Sequence, residues 1–124
     1  MYLLDTNTVI DFFNAKLPDN GKNLLLSVEP AISVITFIEL FSSSKISESE
    51  RLILLKFVNT AIVYETINSQ IAMEAINIRQ QYKTKLPDAI IAATALFYGL
   101  ILITHNSDDF KNIQGLSVID PFLL

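Results

Sequence analysis

Short apolar runs alternate along the chain with longer segments in which apolar residues recur at helical spacing. Five runs are predicted to be strands: residues 2–5, 31–35, 61–65, 100–104 and 116–120. Helices are predicted between them, over residues 6–16, 24–26, 36–44, 47–59, 68–83 and 87–98. Strands that alternate with helices predict an α/β domain, with a mainly parallel sheet of about five strands and helices on both faces. We find no linker or internal repeat, so residues 1–124 are expected to form one domain.

The most apolar part of the chain carries no acidic or basic residue from residue 89 to residue 104. These sixteen residues are fewer than the roughly 20 that a membrane-spanning helix needs, and Gly99 interrupts them. We interpret them as a buried helix, a glycine stop and a buried strand. The chain reaches Asp5 without a basic start, so no signal peptide is expected. A cytoplasmic protein without a membrane contact is therefore predicted.

Composition narrows the possible chemistry. The chain has no cysteine and a single histidine, His105, which excludes disulfides and thiolate sites and disfavours a histidine-rich zinc site. Hydrophobic residues make up 51% of the sequence, and we expect part of this apolar surface to be covered by another chain. The net charge of -4 argues against a nucleic-acid binder that relies on basic residues alone. A bound metal ion, however, supplies positive charge that no residue count includes.

Acidic residues recur where predicted strands end or helices begin. In open parallel sheets, functional sites lie outside the carboxyl ends of the strands, where the strand order reverses. Five acids occupy such positions: Asp5, Glu39, Asp88, Asp108 and Asp109. The predicted fold therefore allows these carboxylates to face one crevice.

Some of these acids also have purely structural explanations. Thr36 and Glu39 fit the spacing of a capping box at a helix start. Asp88 in the first turn of a helix suits the helix dipole. Asp108 and Asp109, which follow Ser107, could open a last short helix in the same way. For each of these acids alone, the structural explanation therefore stays open.

Asp5 is harder to explain in this way, because burial at the end of an apolar strand penalises its charge unless something compensates it. Three or four carboxylates in one crevice would also raise one another's pKa. A hard divalent cation would neutralise them, and oxygen ligands without histidine or cysteine suit Mg²⁺ or Mn²⁺. Such a site is suited to phosphodiester chemistry.

Four segments together resemble the PIN domain, and within it the small VapC-type toxins of bacterial toxin–antitoxin pairs. They are LLDTNTVIDFF (3–13), ITFIEL (35–40), LPDAIIAATALFYGLILIT (86–104) and THNSDDF (104–110) followed by GLSVIDPF (115–122). The resemblance implies a PIN-like three-layer α/β/α fold and an endoribonuclease that depends on Mg²⁺ or Mn²⁺ and cuts single-stranded RNA. It also implies a homodimer that a cognate VapB-type antitoxin inhibits by binding across the active-site groove.

The resemblance also assigns roles to the acids. Asp5, Glu39 and Asp88 match the first three acidic positions of the family, and Asp109 is assigned to the fourth. Asp5 and Asp88 are expected to bind the metal directly, and Asp109 to complete the site or hold a second ion. Glu39 is expected to bind the metal, directly or through water, or to help deprotonate the nucleophile.

The last motif departs from the more acidic form of the family pattern. Asn106 stands where that form has an aspartate two residues after the threonine. The fourth ligand is therefore left open among Asp109, Asp108 and the Asn106 carbonyl. Asn7 and Thr104 match polar positions that support such sites.

Other charged residues receive weaker assignments. Asp11 matches no motif and is expected to be solvated, and His105 is expected to be structural or adjacent to the substrate. Lys83, Lys85 and Lys111 are candidates for phosphate contacts, with ordinary solvated lysines as the alternative.

Two other functions compete with the nuclease. DTNTV (5–9) and the acids at 108–109 resemble motifs of the haloacid dehalogenase phosphohydrolases. In that family, however, the position of Asn7 is an aspartate that acts as general acid, and Glu39 would have no role. The second alternative is a catalytically inactive PIN-like module that binds a protein partner.

Overall fold

Five short strands and seven helices make up the protein in a computed structural model that describes all 124 residues. The strands are β1 (Tyr2–Leu4), β2 (Ala31–Ser33), β3 (Ile62–Tyr64), β4 (Ile101–Ile103) and β5 (Val118–Ile119). The helices are α1 (Thr6–Phe13), α2 (Asp19–Ser27), α3 (Val34–Phe41), α4 (Glu48–Thr60), α5 (Ser69–Gln81), α6 (Leu86–Tyr98) and α7 (Ser107–Phe110).

All strand pairings are parallel. β4 pairs with β1 on one side and with β5 on the other, β2 pairs with β3, and β1 lies beside β2. Backbone hydrogen bonds thus form two parallel sheets, β1-β4-β5 and β2-β3, and the contact of β1 with β2 sets them side by side in the order β3-β2-β1-β4-β5. The strand order reverses between β1 and β4. The predicted parallel sheet of about five strands is confirmed.

Alternate residues of the central strands pack against opposite helical layers, as the two-residue period of a strand requires. Leu3 and Leu102 belong to a core cluster that contains buried residues of α5 and α6. Leu4 and Ile103 belong to a second cluster, with side chains of α1, α2, α3 and α4. Two apolar cores on the two faces of one sheet confirm the predicted three-layer α/β/α fold.

The second strand is shorter than predicted. It ends at Ser33 because the Ser33 side chain accepts a hydrogen bond from the Thr36 N–H group at 3.2 Å and caps α3. The predicted strand over 31–35 and the helix start at 36 are therefore wrong by about two residues. Thr36 lies inside the helix and is buried, so the proposed capping box of Thr36 and Glu39 is wrong as well.

The predicted helix limits need smaller corrections. The first helix ends at Phe13 rather than at residue 16, and α2 extends over nine residues instead of the predicted three. Predicted strands 100–104 and 116–120 shrink to β4 and β5. Segment 107–110 does form a short helix, α7, with Asp108 and Asp109 in its first turn.

The long uncharged segment is divided as predicted. Helix α6 begins at Leu86, one residue before Pro87, and ends at Tyr98. Its C-cap, Gly99, has the left-handed conformation (φ 66°) that glycine adopts without a steric penalty. Strand β4 follows. None of the helices combines the length and the apolar character that crossing a bilayer requires.

Candidate active site

Asp5 is a buried carboxylate at the carboxyl end of β1. It is only 5% exposed and caps α1, because its Oδ1 accepts the Thr6 N–H at 2.8 Å. Its Oδ2 accepts the Thr104 hydroxyl at 2.7 Å and the Asn7 side-chain amide at 3.3 Å. Burial raises the pKa of Asp5, these hydrogen bonds oppose the rise, and the negative charge of Glu39 adds to it. The chain thus holds a desolvated acid in a fixed orientation.

The position of Asp5 follows from the sheet topology. Asp5 comes directly after β1 and Thr104 directly after β4, the two neighbouring strands between which the strand order reverses. The Thr104 hydroxyl donates a hydrogen bond to the Asp5 carboxylate and so connects the ends of the two strands. In open parallel sheets, ligands bind at this point of reversal. Thus Asp5 and Thr104 mark the predicted functional edge.

Glu39 reaches the same edge from α3. Its Oε1 accepts the Thr6 hydroxyl at 2.6 Å, and the Thr36 Oγ1 lies 3.1 Å from the same hydroxyl. Glu39 itself is exposed. The first turn of α1 therefore positions one glutamate oxygen through Thr6, while the other oxygen has no hydrogen bond within the chain.

Asp88 lies in the first turn of α6 and is partly buried. Desolvation is the main cause that raises its pKa, to about 6, and the charges of three other carboxylates raise it further. Those carboxylates are Asp5, Asp109 and Glu39. The nearby Lys85 ammonium acts in the opposite direction. The four acids assigned from the sequence therefore share one electrostatic environment.

The two neighbouring acids of α7 face different surroundings. Asp109 is close enough to Asp88 for its charge to raise the pKa of Asp88. Asp108 instead pairs with Lys111, with 2.8 Å between Nζ and Oδ1, and its side chain is 86% exposed. This hydrogen bond lowers the pKa of Asp108. The structure thus brings Asp109 toward the acidic crevice and leaves Asp108 on the surface with Lys111.

Asn7, Thr104 and Asn106 form a polar support behind Asp5. The Asn7 Oδ1 accepts the His105 N–H at 3.2 Å, and the Thr104 Oγ1 accepts the Asn106 N–H at 3.0 Å. The Asn106 carbonyl accepts the Asp109 N–H at 3.0 Å in the first turn of α7. These bonds fasten the loop after β4 to the start of α1.

The donor set of the crevice fits a hard divalent cation. Asp5, Glu39, Asp88 and Asp109 offer carboxylate oxygens, the ligand type that such cations prefer. Burial is the main cause that raises the pKa of Asp5 and of Asp88, and the charge of neighbouring carboxylates adds to it. No three acidic or histidine side chains converge closely enough to form a metal site on their own.

Sequence reasoning missed two contacts near the site. Thr6 follows Asp5 directly, but its partner Glu39 is 33 positions away, so no local pattern reveals the bond. His105 was assigned without a partner, whereas its Nδ1 lies 3.1 Å from Asp120 Oδ1 and its ring packs on Phe122. The two partners of His105, Asp120 and Phe122, lie in the segment SVIDPF (117–122), where the sequence predicts only a strand and a match to the resemblance.

The three-layer parallel fold with acids at the reversal between β1 and β4 is the arrangement that the resemblance to PIN domains predicts. The protein belongs to this family, because the family model matches residues 2–116. PIN domains are in general metal-dependent nucleases that use divalent ions. The predicted family is confirmed. The match leaves no support for the haloacid dehalogenase alternative, whose general-acid position is occupied here by Asn7, a donor to Asp5.

Several solved structures share the fold over nearly the full length. A toxin–antitoxin complex from Klebsiella pneumoniae contains a chain with 35% identity, a TM-score of 0.77 and 98% of both chains covered. VapBC-1 from nontypeable Haemophilus influenzae matches with 26% identity, a TM-score of 0.80 and 97% of both chains covered. FitAcB from Neisseria gonorrhoeae, at 22% identity with a TM-score of 0.72 and both chains fully covered, supports the fold alone. No curated protein sequence matches the chain.

Proposed function

We propose that this protein is a divalent-metal-dependent endoribonuclease that cuts single-stranded RNA and acts as the toxin of a bacterial type II toxin–antitoxin pair. The observation that supports this most is the position of Asp88 at the strand-order reversal of a PIN domain, within reach of the charges of three other carboxylates, Asp5, Glu39 and Asp109. Raised pKa values in a cleft are typical of functional carboxylates. The toxin role is supported by the resemblance to the Klebsiella toxin–antitoxin complex and to VapBC-1.

Three acids are proposed to hold Mg²⁺ or Mn²⁺: Asp5, Asp88 and Asp109. When bound, the ion would neutralise charge on the attacked phosphate and lower the pKa of a water molecule. Thr104 and Asn7 would keep Asp5 oriented toward the ion through the hydrogen bonds described above. Such supporting partners typically determine ligand orientation in metal sites.

Glu39 is proposed to act on the attacking water. Its Oε1 is held by the Thr6 hydroxyl, which leaves Oε2 free to accept a proton from that water. Lys85 lies near Asp88 and is proposed to contact a phosphate of the substrate. Lys83 stays a candidate for the same role, whereas Lys111 is already paired with Asp108.

The proposed partners are the RNA substrate, a VapB-type antitoxin and a second copy of the chain, in the bacterial cytoplasm. Large apolar side chains remain exposed on several helices, as expected for a chain that is covered by another. A groove of about 350 Å³ lies between α1, α3 and α4. Its apolar lining consists of Ile10, Phe13, Leu40, Ile46, Ile53 and Leu54. This apolar surface supports binding of a protein partner, and both the antitoxin and a second copy of the chain fit that description.

The test is cleavage of a labelled single-stranded RNA pool by the purified chain with Mg²⁺, Mn²⁺ or EDTA. We expect cleavage only with metal. Asp5→Asn and Asp88→Asn should each lower the rate of cleavage by more than about 100-fold. Removal of a group that only supports a metal ligand typically costs about 10- to 100-fold, and loss of a ligand should cost more. Asp11→Asn is the matched control, because it removes an acid of α1 outside the crevice and should retain activity.

Circular dichroism of each variant separates loss of activity from loss of fold. If a folded wild-type chain cuts no RNA with any metal, the binding-module alternative is favoured. If Asp11→Asn is as inactive as Asp5→Asn, the assignment of the crevice as the site is wrong.

A further inference from the structure

The His105 side chain is held by two contacts, one with Asp120 and one with the ring of Phe122. Its Nδ1 lies 3.1 Å from Oδ1 of Asp120, whose side chain is only 8% exposed. The same Oδ1 accepts the Phe122 N–H at 2.9 Å. The Phe122 ring covers one side of the imidazole, with 3.9 Å between ring centroids and 35° between the planes. The final segment of the chain thus fixes the orientation of a half-exposed histidine.

These contacts determine which ring nitrogen carries the proton. An ionised Asp120 carboxylate can only accept, so it favours the forms of His105 in which Nδ1 carries a proton and donates to Oδ1. In the neutral imidazole the other nitrogen, Nε2, is then a hydrogen-bond acceptor. No hydrogen bond within the protein uses Nε2, and the side chain is 48% exposed. In the neutral form of His105, an oriented acceptor is therefore available to an external donor.

The position of His105 links this acceptor to the candidate active site. His105 follows Thr104, whose hydroxyl lies 2.7 Å from Asp5 Oδ2, and successive α-carbons are about 3.8 Å apart. The His105 N–H also donates to Asn7 Oδ1, and the Asn7 amide donates to Asp5. The backbone of His105 is thus fastened on both sides to groups that contact the Asp5 carboxylate.

We propose that His105 is a specificity residue, whose Nε2 accepts a hydrogen bond from a ribose 2′-hydroxyl of the bound strand. Asp120 is the positioning residue that sets the tautomer. This inference rests on the proposed nuclease function and adds a reason for choosing RNA over DNA. A phosphate oxygen is itself an acceptor and cannot donate to Nε2, whereas the 2′-hydroxyl is a donor that every ribonucleotide has and deoxyribonucleotides lack.

The experiment uses a single-stranded RNA with one mapped cleavage site and replaces each nearby ribose in turn with 2′-deoxyribose. For the wild type, one replacement should lower kcat/KM by about 2- to 10-fold, the usual effect of one hydrogen bond. His105→Ala should lower kcat/KM on all-ribose RNA by the same factor and abolish the penalty at that position. This coupling is what a direct contact produces.

Two further variants separate the contact from a structural role. His105→Gln places an amide near the position of Nε2 and should retain part of the 2′-deoxy penalty. His105→Asn reaches only toward Asp120 and should behave like His105→Ala. Asp120→Asn retains an acceptor oxygen and should keep the RNA preference, whereas Asp120→Ala should lose it, chiefly through a higher KM.

The proposal is overturned if His105→Ala retains the full 2′-deoxy penalty, or if no 2′-deoxy replacement affects the wild type. If kcat/KM falls only when an exocyclic base amine is removed, and not when a 2′-hydroxyl is removed, His105 contacts a base and the ribose contact is rejected. Binding of fluorescent RNA and DNA to Asp5→Asn, with and without His105→Ala, does not depend on cleavage. If the wild type cuts no RNA with any metal while Asp5→Asn prefers RNA only when His105 is present, the nuclease is rejected and the contact is retained. If neither wild-type cleavage nor a preference for RNA that requires His105 is found, both proposals are rejected.

Discussion

The charge of Asp88 should destabilise the protein when no cation is bound. Burial and neighbouring carboxylates raise the pKa of Asp88 from its ordinary value of 3.8 to about 6. Each pKa unit corresponds to about 1.4 kcal/mol, so the full shift corresponds to about 3 kcal/mol. Asp88 is partly exposed, and solvent screening reduces this cost to about 1–2 kcal/mol. Asp88→Asn in EDTA should therefore raise the free energy of unfolding at pH 8 by about 1 kcal/mol, after the loss of its helix-dipole interaction.

The stability difference between the wild type and Asp88→Asn should change with pH in one direction only. Below the unfolded pKa, Asp88 is protonated in both states and contributes no cost. Between about pH 4 and pH 6 the unfolded chain ionises first, so the stability of the wild type falls relative to Asp88→Asn as pH rises. Above pH 6 the difference should be constant. Urea denaturation in EDTA at five pH values between 4 and 8 measures it.

Glu50 provides a control of opposite sign. Hydrogen bonds from Ser47 in the capping box lower its pKa, so its charge is stabilising above its unfolded pKa and that stabilisation is lost as pH falls. Glu50→Gln should therefore be less stable than wild type near neutral pH and equal to it in acid. If Asp88→Asn is no more stable than wild type at pH 8 in EDTA, or if its advantage does not shrink toward pH 4, the electrostatic account of the crevice is wrong.

Three other predictions concern packing, support of the site and the fourth acid. Gly21→Ala should cost about 1–3 kcal/mol in urea denaturation, because a Cβ there would lie 2.2 Å from the Pro121 carbonyl oxygen; an unchanged midpoint would contradict this contact. Thr104→Val should cost about 1–3 kcal/mol by leaving Asp5 without its 2.7 Å donor, and Thr104→Ser should restore most of the loss. Asp109→Asn should abolish RNA cleavage while Asp108→Asn leaves it intact, and the reverse result would move the fourth acid to Asp108.

The sequence predicted the layers of the fold and the general place of the acids, because both follow from periodicity and topology. Asp5 ends an apolar run, Asp88 begins an apolar helix, and parallel strands bring such positions to one edge. The limits of β2 were not predictable in this way. AISVI is apolar almost throughout, and the hydrogen bond from the Thr36 N–H to the Ser33 side chain, which caps the helix before Val34, is visible only in the structure.

The finer assignment in the last motif also needed the structure. Asp108 and Asp109 are adjacent, and in a helix neighbouring side chains differ in direction by about 100°. Which of them faces Asp88 depends on where α7 starts, and the sequence left this open. The contacts of Thr6 with Glu39 and of His105 with Asp120 join segments 33 and 15 residues apart, so they depend on the completed fold.

The most direct test of the central claim compares metal binding with catalysis at the same carboxylates. Thermal stability and initial rate of RNA cleavage would be measured over one series of Mn²⁺ concentrations, for wild type, Asp88→Asn and the control Asp11→Asn. We predict that stability and rate of wild type and Asp11→Asn rise with the same half-saturating concentration, whereas Asp88→Asn shows neither response. Cleavage that persists in Asp88→Asn, or that occurs in EDTA, would contradict the account.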